Sequence, residues 1–131
     1  MKFCSLALLC AVSAQAAFAE NTAVVGTFDG IIWSSGDTPG ATRFVLTSDD
    51  KIIGAYSYDS FGETAEGHLE ECALTAQILR CIWNDEWGSG DFAVAFASDF
   101  SSFSGKWFDD IGSGNRSPTD AEGHVWTGKK R

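Results

Sequence analysis

Basic residues are scarce in this chain: nine Lys and Arg stand against eighteen Asp and Glu among 131 residues, a formal charge of −9. Such an excess argues against nucleic acid and anionic membrane surfaces as partners, and favours solubility, cationic ligands or basic partner proteins. Histidine is scarcer still, with two residues, and neither stands in a motif with a nucleophilic serine or cysteine. No glycine-rich phosphate loop, zinc signature or nucleophile elbow occurs. Past the first twenty residues no apolar run has the length of a membrane-spanning helix, and no helical period appears. The chain is therefore expected to be non-catalytic, and no cofactor is implied.

The beginning of the chain reads as an export signal. Lys2 supplies a positive charge, Phe3 to Val12 form a short apolar core, and Ala17-Phe18-Ala19 gives a small-residue cleavage site. Cleavage would leave residues 20–131 as one domain of 112 residues, with the loss of Lys2 taking the charge from −9 to −10. The expected location is periplasmic or secreted. Lipid anchoring at Cys10 is the alternative, but Leu9 before it is not the small residue such a site prefers.

Cysteine is also sparse. Cys4 and Cys10 leave with the signal, so Cys72 and Cys81 remain, nine positions apart. An even pair in an exported domain reads as a disulfide, here tying the arms of a hairpin. So short a loop contributes on the order of 2–3 kcal/mol.

What the chain has in quantity is glycine alternating with bulky apolar residues. Gly54-Ala55-Tyr56, Gly67-His68-Leu69 and Gly105-Lys106-Trp107 each place a glycine and a large side chain on the same face of a strand. Eight strands are expected, at roughly 24–33, 41–48, 51–58, 63–72, 78–84, 90–98, 102–109 and 121–128. Short linkers favour an all-β, up-and-down antiparallel β-barrel, which removes both exposed edges. Ile52, Gly54, Tyr56 and Tyr58 should face inward, with Phe92, Val94, Phe96, Phe103 and Trp107. Such bulk predicts a largely filled interior and binding at a rim or on the outer surface. With Gly67 and Leu69 inward, Cys72 falls outward while Cys81 falls inward, and a bulge near Glu70-Glu71 reconciles them.

Gly26-Thr27-Phe28, Gly54-Ala55-Tyr56 after an acidic turn, and Phe103-Ser104-Gly105-Lys106-Trp107 resemble the Gly-Thr-Trp, Gly-Thr-Tyr and Trp-Ser-Gly-Gln-Tyr segments of avidin-like barrels. The resemblance covers most of the exported part as scattered short motifs, and implies a small eight-stranded exported barrel. The family's late tryptophan–leucine segment is absent, and its polar biotin-binding residues are not carried over to positions here.

Metal binding has two candidate motifs. Ala65-Glu66-Gly67-His68 recurs as Ala121-Glu122-Gly123-His124, but these lie on the fourth and eighth strands, and alternation turns both histidines to water if the glycines face in. The stretch from Asn84 to Asp91 is acidic, without the alternate-position spacing of a calcium loop. Solvated turns account for Asp49-Asp50, Glu70-Glu71, Asp85-Glu86 and Asp109-Asp110.

All five tryptophans lie outside the signal. Trp33, Trp83 and Trp107 sit at or near strand ends, and Trp87 lies in a Gly-Ser turn with few neighbours to bury it. With Tyr58 they are the candidate binding residues, because rings at a barrel mouth stack on sugars or flat ligands, or anchor a protein. The leading expectation is an exported binding module for a small ligand, glycan or protein. The alternatives are an inhibitor of an extracellular enzyme or an envelope interaction protein, and then a small polysaccharide-acting enzyme.

Overall fold

The computed structural model describes residues 20–131; the expected signal, with Cys4 and Cys10, lies outside the described residues. After one helical turn, eight strands follow: β1 (Gly26–Ile31), β2 (Pro39–Leu46), β3 (Ile52–Ser60), β4 (Glu63–Thr75), β5 (Ile78–Asp85), β6 (Gly88–Phe96), β7 (Ser102–Trp107) and β8 (His124–Lys130). Each pairs antiparallel with the next, and β8 returns to β1 through Phe28↔Lys130 and Asp29↔Lys129, closing the barrel. No described helix is long and apolar enough to cross a membrane.

The expected alternation holds along the middle strands. Ile52, Gly54, Tyr56 and Tyr58 of β3 are buried, as are Ala65, Gly67 and Leu69 of β4. The register of β4 against β5 shifts between Glu70 and Ala73, with Glu71 at φ 51°. That bulge turns Cys72 toward Cys81, and the two form a disulfide.

Strand ends depart from expectation where side chains cap turns. The last strand begins at His124 rather than 121 because residues 117–123 form turns: Asp120 N–H donates to Ser117 O at 3.1 Å and Gly123 N–H to Asp120 O at 3.2 Å. The outer face of β6 is not solvated either. The β7–β8 connection lies over it, so Asp91 is only 4% exposed. Gly112 N–H donates to Asp91 Oδ2 at 2.8 Å, and the Arg116 guanidinium meets the same oxygen at 3.2 Å.

The two ends of the barrel differ. At one end Phe28 packs edge-on against Phe103 at 5.2 Å, Phe96 at 5.8 Å and Phe44 at 6.0 Å between centroids. Val24 is buried beneath the strand ends, and Asn21 Nδ2 ties the N-terminal turn to Asp50 O at 3.1 Å. Edge-to-face rings contribute about 0.5–1.5 kcal/mol per pair beyond their burial, which makes this the rigid plug. The expectation of a largely filled interior is correct for this half only. An eight-stranded barrel is wide enough to be filled or to hold one small ligand, and here the phenylalanines gather at one end and leave the other open.

Candidate functional site

The open end is a cup of about 310 Å³. Its floor is Trp126, which lies edge-on to Tyr56 and Phe92 at 4.8 Å from each and donates from Nε1 to the buried Thr42 hydroxyl at 2.9 Å. The same indole separates the cup from the phenylalanine plug.

The walls are indoles fixed by their own N–H groups. Trp83 on β5 donates from Nε1 to Phe108 O at 2.7 Å. That approach depends on Gly90, where a β-carbon would collide with Phe108 O and with the Trp83 ring. Trp107, last residue of β7, donates from Nε1 to Trp33 O at 3.0 Å and meets Trp83 edge-on at 5.4 Å. Trp33, just past β1, is held through its backbone N–H, which donates to Val125 O at 2.9 Å. The donors of Trp83, Trp107 and Trp126 are thus spent inside the protein, and the rings give the cup apolar π-surface.

One charged group enters the cup. Asp85 follows Cys81 and Trp83 on the inward face of β5, and its Oδ2 accepts from the Tyr56 hydroxyl at 2.8 Å. Between them runs β4, where Gly67 pairs with both Tyr56 and Asp85. A side chain at Gly67 would collide with the Tyr56 ring, so the glycine is what lets the phenol cross a strand to reach the carboxylate. Asp85 Oδ1 accepts from Trp87 N–H at 2.8 Å and shapes the β5–β6 turn. Burial, and then Asp85, push the Tyr56 hydroxyl far above its ordinary range. Tyr58 is raised too, by burial first and then by the charge of Asp85, against a smaller opposing hydrogen bond from Trp87.

The rim carries two exposed rings, Phe61 at 90% and Trp87 at 66%. Phe61 sits in the two-residue β3–β4 turn at φ 54°, followed by Gly62 at φ 84°. Two successive positive φ values favour Asn-Gly at a hairpin turn, and a bulky residue there is strained. A solvent-facing phenylalanine at such a position has no packing reason to be there. Among the described residues, none hydrogen-bonds the hydroxyls of Ser34, Ser35 or Ser60, which also line the mouth.

All five residues singled out from sequence, Trp33, Tyr58, Trp83, Trp87 and Trp107, line this one cup. Asp85, Phe61, Ser60 and the floor Trp126 were not singled out. Parity with Trp83 was the available signal for Asp85, and its place among acidic turns concealed it.

The two histidines part company. His68 is exposed on the outer face of β4 as expected, but His124 is not turned to water. Gly123 precedes the strand, so parity is set by Trp126, and His124 points inward at the rim. It stacks on Trp33 at 4.7 Å and 12°, touches Trp107 at 4.3 Å, and lies 3.1 Å from Asp109 Oδ2 with its side chain 26% exposed. In the stretch from Asn84 to Asp91, Asp85 is engaged by Tyr56 and Trp87, and Asp91 by Arg116. No cluster of three or more metal-ligating side chains occurs among the described residues. Comparison with protein-family models, curated proteins and solved structures finds no match for this chain.

Proposed function

We propose that this protein is an exported, non-catalytic barrel that binds a small organic ligand in the aromatic cup. The observation that carries the reading is the asymmetry of the barrel: one end is packed shut by phenylalanine, and all five tryptophans and both tyrosines line a cavity at the other. Its volume of about 310 Å³ lies at the small end of the range for ligand pockets, which are mostly apolar with a few fixed polar groups. The walls are fixed by internal hydrogen bonds, so little ordering remains to be done on binding. Among the described residues a single carboxylate, Asp85, lines the cup, whereas glycoside hydrolysis ordinarily requires two. The disulfide and the leader-like first nineteen residues favour export.

A second reading is favoured by the exposed rim: Phe61 and Trp87 offer a protein partner two rings to bury. Equilibrium dialysis of the purified protein against the small-molecule fraction of its source organism separates the readings. Enrichment of a compound at one per chain, abolished in a Trp33→Ala/Trp87→Ala variant that remains folded, is the expected result. No enrichment, or enrichment unaffected by the two substitutions, would remove the cup as the site and leave the rim as a protein-docking surface.

A further inference from the structure

We infer that the cup selects an organic cation, a small quaternary or alkylated ammonium group, with Asp85 as its counter-charge and the surrounding ring faces as its walls. This rests on the cup being the ligand site. The described residues that line it include one carboxylate and no Lys, Arg or His. An anion placed there would meet Asp85 with no basic side chain to compensate it, and removal from water makes such a mismatch costly.

The walls discriminate in the same direction. With the N–H groups of Trp83, Trp107 and Trp126 bonded to Phe108 O, Trp33 O and Thr42 Oγ1, they are not available to an acceptor-rich ligand. What these three rings offer is π-surface, whose negative face attracts a cation, tryptophan most strongly, while the hydroxyls of Ser34, Ser35 and Ser60 stand at the mouth. An ammonium carrying alkyl groups needs no hydrogen-bond acceptors around it, so a box of rings with one carboxylate suffices.

Asp85 is positioned rather than loose. Its two oxygens accept from Tyr56 and from Trp87 N–H, which uses part of its acceptor capacity and leaves its charge in the cup. Burial first, and then that charge, raise both Tyr56 and Tyr58. Asp85 is the one formal charge among the described residues that line the cup. His124 stacks on Trp33 and touches Trp107, with Asp109 beside it, and is not among the lining residues.

The test uses choline, its uncharged isostere 3,3-dimethylbutanol in which carbon replaces nitrogen, and the anionic 3,3-dimethylbutanoate, which carries the same tert-butyl group on a carboxylate. Each is titrated into the wild-type protein and into Asp85→Asn by calorimetry, with the thermal midpoint recorded to show that the variant is folded. Choline is expected to bind about tenfold or more tighter than dimethylbutanol, with the anion weakest. In Asp85→Asn most of the gap between cation and neutral compound should close. If choline and dimethylbutanol bind alike, or the gap is unchanged in a folded Asp85→Asn protein, the selection of cations is overturned and the cup remains a ligand site. If none of the three binds, the inference also falls; the dialysis experiment then decides whether the cup holds a ligand of another class or none.

Discussion

The Tyr56 hydroxyl donates to Asp85 Oδ2 at 2.8 Å across a strand that carries no side chain at that point, Gly67. Three residues on three neighbouring strands thereby fix the charge of the cup, and each gives a measurable consequence.

The chain has only two tyrosines, Tyr56 and Tyr58, so alkaline ultraviolet titration reports on this wall alone. Both are held above the ordinary value of 10.0. Native protein should therefore show little tyrosinate absorbance as pH passes 10, while the denatured chain ionises there. In that window the unfolded state has lost protons that the native state keeps, so stability is intact below pH 10 and falls as pH rises above it. Tyr56→Phe should flatten that fall. Ordinary titration of both phenols in native protein would contradict the buried pair.

Gly67→Ala places a methyl group against the Tyr56 ring. The ring must move off Asp85 or the strands must separate, at a cost of about 1–3 kcal/mol. Denaturant unfolding should show that loss. Gly62→Ala, which meets no neighbour but lies at φ 84°, should be destabilised by backbone strain and leave the tyrosine titration unchanged.

Trp87 and Trp126 should separate binding from folding. Trp87 is largely exposed, so Trp87→Ala should change stability by no more than about 0.5 kcal/mol while weakening ligand retention. Trp126 is buried, with its indole bonded to Thr42, and Trp126→Ala should cost about 3–5 kcal/mol. Thermal melts of the two variants beside the wild type check the contrast.

Replacing Cys72 and Cys81 together by Ala should lower stability by about 2–3 kcal/mol, through the freedom returned to the unfolded chain. The two cysteines do not line the cup, so ligand affinity of the folded variant should be unchanged. A loss of affinity at constant fold would show that the disulfide positions the β5 wall.

Much of this barrel is legible in the alternation of glycine and large apolar residues, because a period of two assigns every side chain to a face. The same parity exposed the conflict between Cys72 and Cys81, and the bulge at Glu70–Ala73 is its resolution. What parity does not give is depth along the axis. Phe28, Phe44, Phe96 and Phe103 crowd one end while the indoles are pinned to the walls at the other by bonds to Phe108, Trp33 and Thr42, and none of those partners is adjacent in sequence. His124 faces inward because β8 begins at His124, after Gly123, and shares its parity with Trp126. Asp85 lies on the inward face for the same reason as Trp83, yet a carboxylate among acidic turns reads as solvated until Tyr56 is seen to reach it.

Whether the cup is the ligand site can be read from the four indoles of its walls and rim. In ¹H–¹⁵N spectra of labelled protein, adding the small-molecule fraction of the source organism should shift the indole signals of Trp33, Trp83, Trp87 and Trp107 together. The amide signals of Phe28 and Phe103 at the packed end should stay in place. Unmoved indoles, or shifts confined to the packed end or the outer face of the barrel, would contradict the account.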